Sequence, residues 1–306
     1  MSNQSETTTD FDPHSYKVPG FYHYEGIVMG SCTPRDQIDG VRKMELHEDD
    51  VIIASYPKTG TTLAQEITWL IRHNADITEA NKESTFNRVP FLEYYYPPTD
   101  EVNGLEHANR APRPRHLKTH LPYRLLPEQA KAGKCKIIYV MRNPKDALVS
   151  YYFFYKSLVT FGKFQGTWNE FFQMFLVDNI YWGNIFDHYL GWWKHRDNPN
   201  IYFVKYEDII GNQREEVEKI AKFVDWNLTS EKLDIITEAT TFKTMKSNPM
   251  TNAENFTKEI DSGVSPFMRK GVAGDWKNHF SAEQNEMMDK LIAERLGGTG
   301  LEFYYG

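Results

Sequence analysis

The chain has 306 residues, 40% hydrophobic and 25% charged, with 42 acidic against 35 basic side chains and a net charge of −7. That acidic balance excludes a general nucleic-acid or anionic-membrane surface, so any anionic ligand must be held by locally concentrated positive groups. Two cysteines, Cys32 and Cys135, are too few for a disulfide framework and suit a reducing compartment; no apolar run of spanning length and no signal-peptide pattern is present.

The polar start, MSNQSETTTD, is expected to be disordered, and residues 1–40 are read as an N-terminal segment ahead of one domain over 41–306, since neither linker nor repeat interrupts the rest. Short β-rich runs at Val51–Ser55, Lys136–Met141 and Ile201–Lys205 alternate with segments of helical period. This alternation predicts an α/β fold with a central, mostly parallel sheet flanked by helices. After the first run come Tyr56-Pro57-Lys58-Thr59-Gly60-Thr61-Thr62 and then a helical face of Leu63, Ile67, Leu70 and Ile71. A strand that turns tightly into a helix points unpaired N–H groups outward where the helix dipole favours an anion, giving a P-loop-like cradle. Gly60 permits close backbone approach, Pro57 stiffens the turn, and the hydroxyls of Thr61 and Thr62 add donors. The usual nucleotide loop carries its lysine after the last glycine. Here Lys58 precedes Gly60, so the ammonium comes from the turn itself.

Further along, Leu117–Pro122 reads LKTHLP, an extended segment whose alternation sends Lys118 and His120 to the same side. An imidazole suits proton abstraction from an alcohol or phenol, although a lone histidine is more often structural. The run ending at Met141 delivers Arg142 to the carboxyl end of a strand, with Ser150 about two turns into the following helix. Arginine can grip a phosphate bidentately and serine adds a neutral donor; Arg142 could instead simply cap the strand or pair with Asp146, and Ser150 be an ordinary helix residue. Thr167 to Glu170 and Ser281 to Gln284 read as capping boxes, the first opening an aromatic stripe of Phe171, Phe172 and Phe175, and the second a helix through Met288, Leu291 and Ile292 that ends near Gly297. Val217, Ile220, Ala221 and Val224 mark another amphipathic helix. Gly162–Gly166 reads as a mobile loop at a pocket mouth. Near the C-terminus, Phe267 could lie against a purine beside the cations of Arg269-Lys270-Gly271. The sequon-like Asn227-Leu-Thr229 and Asn255-Phe-Thr257 are read as unmodified chance matches.

The string Tyr56 to Thr62 closely resembles the 5′-phosphosulfate loop of the cytosolic sulfotransferases, which use 3′-phosphoadenosine 5′-phosphosulfate (PAPS). LKTHLP, RNPKDALVS, TTFKTMKSNPMTN and RKGVAGDWK follow in the family's order, from about residue 45 to the end. The resemblance implies a cytoplasmic enzyme that moves a sulfonate from PAPS to a small-molecule hydroxyl or amine without a metal. It assigns His120 as base, with Lys58 and Lys118 stabilising the leaving phosphate. Nucleotide contacts fall to Lys58, Thr59, Gly60, Thr61, Thr62 and Leu63 of the loop, and to Arg142 and Ser150 for the 3′-phosphate. Tyr206, Thr240, Thr241, Phe242, Met245, Phe267, Arg269, Lys270 and Gly271 complete the set. Phe91 and Phe154, with Tyr94, match acceptor-site positions, together with Lys118 and His120. Leu63 stands where the family usually has a tryptophan, reducing the surface for adenine. The family's dimer motif survives only at its charged ends, Lys277 and Glu286, which leaves a homodimer open.

Two rivals compete with this reading. A P-loop small-molecule kinase using ATP and Mg²⁺ would want the lysine after the glycine and an acid for the metal, for which only Glu207 and Asp208 stand near a strand end. A non-catalytic PAPS-binding protein explains the nucleotide clusters but makes Lys58 and His120 coincidental.

Overall fold

The computed structural model describes residues 11–95, 103–253 and 259–306; the polar first ten residues and the sequon-like Asn255-Phe-Thr257 lie outside them. A two-stranded antiparallel hairpin, β1 (Tyr22–Tyr24) and β2 (Ile27–Met29), precedes a four-stranded parallel sheet. The sheet comprises β3 (Val51–Ser55), β4 (His116–Thr119), β5 (Lys136–Met141) and β6 (Ile201–Lys205), in the order β4-β3-β5-β6. The three β-rich runs read from the sequence are thus strands at their expected residues, buried because helices cover both faces.

Side chains alternate between those faces along each strand. Ile52, Ala54, Leu117, Ile137 and Tyr139 join one core, and Val51, Ile53, Ile138, Val140 and Val204 join the other. The second core is closed by α1 (Thr61–Arg72) through Ala64, Ile67, Leu70 and Ile71, and by the helix Gln213–Phe223 through Val217, Ile220 and Ala221. Each such Ile, Leu or Val side chain removed from water contributes about 1.5–3 kcal/mol, so the helical stripes are what hold these helices on the sheet. On the first face lie α2 (Pro144–Ser157), capped by Asn143, and α3 (Trp168–Leu176), opened by the Thr167–Glu170 capping box. The helix Ala282–Leu296 starts at the Ser281–Gln284 capping box. The segment ahead of β3 is not an appendage: Val18, Met29 and Ile38 are buried in the same core.

The strand order decides where ligands can bind. The chain leaves β3 to pair β4 on one side, then returns to pair β5 on the other, so the connections diverge beyond the carboxyl end of β3 and open a crevice there. Because all four strands are parallel, the residues following β3, β4, β5 and β6 emerge on that one edge. Those residues include Lys58, His120, Arg142 and Tyr206.

Candidate active site

At the end of β3 the chain makes a strained turn. Lys58 has φ of +68° and Gly60, the cap of α1, has φ of +105°. A lysine in the left-handed region is uncommon and carries backbone strain. A Cβ on Gly60 would stand 2.7 Å from Cδ2 of Tyr206, so only glycine lets the loop pass beneath that ring. Thr59 is not among the residues that line the cavity described below. Its buried hydroxyl donates to the carbonyls of Tyr56 at 2.8 Å and Val140 at 3.1 Å, anchoring the turn to the sheet instead of lining the cavity.

Lys58 shares one cavity with Lys118, Arg142, Arg269 and Lys270. The locally concentrated positive charge required of a chain at −7 is therefore assembled from four distant segments. Lys58 Nζ lies 4.3 Å from the ring centroids of both Phe154 and Phe267, held between them by cation–π contact. Burial, reinforced by repulsion from Lys118, Arg142 and Arg269, brings its pKa down to about 7. Burial also takes Lys118 down to about 8, against the opposing pull of Glu93; its Nζ sits 3.8 Å from the centroid of Phe91.

His120 follows β4. Its Nδ1 lies 2.7 Å from the carbonyl oxygen of Ser55, an acceptor only, so Nδ1 carries the proton and Nε2 keeps its lone pair. Ser55 Oγ, 3.2 Å from the same nitrogen, is tied at 2.6 Å to Thr61 Oγ1 and thereby joins the imidazole to the start of α1. Burial, then the charge of Lys118, holds His120 well below the usual histidine value, so it stands neutral. Glu93 accepts the backbone N–H of His120, and the His120 carbonyl accepts from His188 Nε2 at 3.0 Å. His188 Nδ1 in turn accepts a hydrogen bond from the Tyr139 hydroxyl at 2.6 Å. These buried partners fix the turn carrying the imidazole.

The third arm is Arg142, whose guanidinium donates to the carbonyls of Val272 at 2.9 Å and Lys58 at 3.4 Å and lies 4.6 Å from the Tyr206 centroid. It does not pair with Asp146. That carboxylate accepts from the N–H groups of Gly274 at 2.6 Å and Trp276 at 2.8 Å, clamping the C-terminal segment against α2. The clamp delivers Arg269 and Lys270, which are oriented by Asp275 at 2.6 and 2.5 Å. Although burial would raise the Asp275 carboxyl, hydrogen bonds from Lys270, Asn278 and Arg269 keep it well below the usual range. Gly271, at φ +70°, packs so closely on Phe242 that a Cβ would stand 2.1 Å from Cδ2.

Nearly all the expected residues meet in this cavity. Gly60, Thr61, Thr62 and Leu63 line it, as do Ser150, Tyr206, Thr240, Phe242 and Met245. Phe91, Tyr94 and Phe154 form its aromatic side. Thr241 does not border it; its hydroxyl caps the short helix Phe242–Ser247, accepting from Thr244 N at 3.2 Å. Thr240 spends its hydroxyl proton on Ile236 O and accepts from Gln213. Glu207 is engaged by Asn143 at 2.9 and 3.0 Å and Asp208 is exposed; neither borders the cavity. Among the described residues no group of three or more His, Cys, Asp and Glu is placed to hold a metal. Gly162–Gly166 is a packed loop rather than a loose one, since Phe164 is buried and its N–H bonds to Tyr155 O at 3.0 Å.

Sequence reasoning missed Trp182, Tyr181, Phe161 and Glu259. Trp182 adopts φ of +70°, and its ring lies 5.6 Å from His120 and 6.2 Å from Phe91. The aromatic residue before a glycine was the available signal, but nothing local tied it to LKTHLP.

The donors suit a nucleotide with two anionic ends. Arg142 Nε and Arg269 Nε are both buried with no hydrogen-bond partner among the described residues, as expected of groups that await an anion. The model of the sulfotransferase domain matches residues 48–300. Sulfotransferase 1C2 from Rattus norvegicus is 42% identical over 269 residues, covering 88% of this chain and 90% of that protein. Sulfotransferase 1B1 from Canis lupus familiaris is 39% identical over 266 residues, covering 87% and 89%. Among solved structures, retinol dehydratase in a complex with retinol and PAP superposes with a TM-score of 0.81 at 27% identity, covering 92% of this chain and 90% of that one. Mouse sulfotransferase SULT7A1 complexed with PAP gives 0.74 at 28% identity, covering 91% and 95%.

Proposed function

The chain belongs to the sulfotransferase family, whose members use PAPS as sulfonate donor, and on that premise we propose that it sulfonates a hydroxyl or amine of a small aromatic acceptor with His120 as base. The observation that carries the reading is the imidazole whose Nδ1–H is spent on Ser55 O, leaving an unprotonated Nε2 in the same cavity as Lys58 and Arg142.

PAPS supplies the sulfonate on its 5′-phosphosulfate, and the chain's own residues bind, orient and move the proton. The N–H groups at the start of α1, with the hydroxyls of Thr61 and Thr62, are suited to the 5′ end. Arg142 and Arg269 would hold the 3′-phosphate with Ser150 and Lys270, and Phe242, Met245 and Phe267 offer apolar surface to adenine. Nε2 of His120 takes the proton of the acceptor hydroxyl. Its depressed pKa makes it a weak base that is fully available at neutral pH. Lys58, pinned between two rings, presents its ammonium to the phosphate oxygen on which charge builds, with Lys118 alongside. Phe91, Tyr94, Phe154 and Trp182 form an aromatic wall fitted to a flat acceptor. Among the described residues no helix is long and apolar enough to cross a membrane, and Cys32 and Cys135 are both buried free thiols; the likeness to sulfotransferases 1C2 and 1B1 supports a cytosolic reaction.

The deciding experiment is an acceptor screen with purified protein, PAPS and EDTA across phenols, catecholamines, hydroxysteroids and aliphatic alcohols. Release of adenosine 3′,5′-bisphosphate (PAP) with simple phenols is expected. Transfer that instead requires ATP and is abolished by EDTA would overturn the reading in favour of a kinase.

A further inference from the structure

Gln213 is the one carboxamide among the described residues that line the cavity. Tyr206 and Ile210, one turn apart on the short helix Tyr206–Gly211, both border the cavity, and Gln213 follows them at the start of the helix Gln213–Phe223. The Tyr206 ring lies 4.6 Å from the Arg142 guanidinium, and Gln213 itself reaches Thr240, close in the chain to Phe242. The carboxamide therefore stands among residues expected to touch the nucleotide.

Its orientation follows from the protons around it. Thr240 Oγ1 gives its only proton to Ile236 O at 2.7 Å, so toward Gln213 it can only accept, and the 2.7 Å contact between them is donated by Gln213 Nε2. The amide is thereby held with its nitrogen toward Thr240 and its oxygen turned away. Among the described residues nothing donates to Gln213 Oε1, and the side chain is only partly buried. Around it, Leu63, Ile210, Phe242 and Met245 offer apolar surface, which packs on a purine face whatever groups its edge carries. A hydroxyl such as that of Tyr206 both donates and accepts, so it serves an amino and an oxo group alike. A carboxamide oxygen locked in one direction accepts only.

Resting on the reading that a purine 3′,5′-bisphosphate fills this end of the cavity, we propose that Gln213 reads the base: its Oε1 accepts a hydrogen bond from the exocyclic amino group of adenine, with Thr240 holding the amide in place. A purine with an oxo group at that position sets acceptor against acceptor and leaves both unpaired. Turning the amide over to suit it would put Oε1 against Thr240 Oγ1, whose proton is already committed to Ile236 O. The Gln213–Thr240 pair thus supplies a discrimination that the apolar wall cannot.

The test compares, by calorimetry, binding of PAP and of inosine 3′,5′-bisphosphate, which carries an oxo group in place of the amino group, to the wild-type chain, Gln213→Leu and Gln213→Glu, each checked by a melting curve. The wild type is expected to favour PAP by about tenfold or more. Gln213→Leu should bring the two affinities within about twofold of each other, mainly by weakening PAP. Gln213→Glu, whose oxygens can only accept, should keep the preference even where repulsion of the phosphates weakens both ligands. Taking the ratio of the two affinities cancels any general damage to the cavity. A wild type that binds both nucleotides equally overturns the proposal, as does a preference that survives in Gln213→Leu or vanishes in Gln213→Glu. A wild type that binds neither would instead bring down the family-based reading of the nucleotide site, and the proposal with it.

Discussion

Binding of adenosine 3′,5′-bisphosphate should draw protons from solution, because the empty cavity holds Lys58 at a pKa of about 7. The causes are burial and the neighbouring charges of Lys118, Arg142 and Arg269; the negative charge of a bound bisphosphate counteracts both. At pH 8 a lysine with that pKa is roughly nine-tenths neutral, so restoring its ammonium takes up about 0.9 proton per nucleotide. Lys118, lowered to about 8 by burial, is roughly half neutral there and sets a ceiling of about 1.4 protons if it too is recharged. The sign follows directly. The pKa is low in the free state and raised in the complex, so affinity is full below pH 7 and falls as pH rises through the free-state value. Between pH 8 and 9 the Kd should rise about tenfold, one proton's worth of linkage. Titration calorimetry in buffers of different ionisation enthalpy, HEPES and Tris, reads the proton count from the slope of apparent enthalpy. In Lys58→Met the uptake should fall to about 0.5 or less, Lys118 being the remaining source. Zero uptake by the wild type at pH 8, or equal uptake by both proteins, would refute the argument that a desolvated, mutually repelling cluster is what receives the anion.

His120→Asn should lower kcat by about 10²–10⁴-fold while leaving the Kd for PAP unchanged, because the side chain is assigned to proton transfer and not to nucleotide binding; near-normal turnover would remove it as base. For the wild type with saturating PAPS, the acid limb of the pH–rate profile should lie well below pH 6.5, as expected of a base whose pKa is depressed first by burial and then by Lys118. Arg142→Ala and Arg269→Ala should each weaken PAP binding about 10- to 100-fold, the worth of a charge-assisted contact of about 1.5–3 kcal/mol. A melting curve accompanies each variant, since Arg142 also secures Val272 O and Arg269 also pairs with Asp275. Affinity unchanged within a factor of two would take either arginine out of the site.

Much of the site could be read before the fold was known, and the reason is local chemistry. The sheet strands Val51–Ser55, Lys136–Met141 and Ile201–Lys205 show as β-rich runs, and the cradle after the first is written in consecutive residues, Pro57 to Thr62. Alternation alone sends Lys118 and His120 to one side of their strand, and both line the cavity. Even the capping boxes at Thr167 and Ser281 are four-residue devices whose geometry is complete at the first helical turn.

The threonines show where such reading stops. Thr59 and Thr61 stand two apart in the same motif, yet Thr59 is turned away with its hydroxyl buried against Tyr56 and Val140, while Thr61, its hydroxyl tied to Ser55 Oγ, is a residue of the cavity lining. Which way each points depends on a sheet that neither residue specifies.

The parallel α/β architecture, the anion cradle and the residue types of the transfer chemistry are legible in the chain's residue order, because all depend on periodicity or on a handful of neighbours. It takes the folded sheet to bring Nδ1 of His120 against a carbonyl from another strand, to strip Lys58 of water among three other cations, and to complete the wall with Trp182 and Glu259. Those properties come from burial and charge summed over residues far apart in the chain, and no stretch of sequence contains that sum until the strands order themselves as β4-β3-β5-β6.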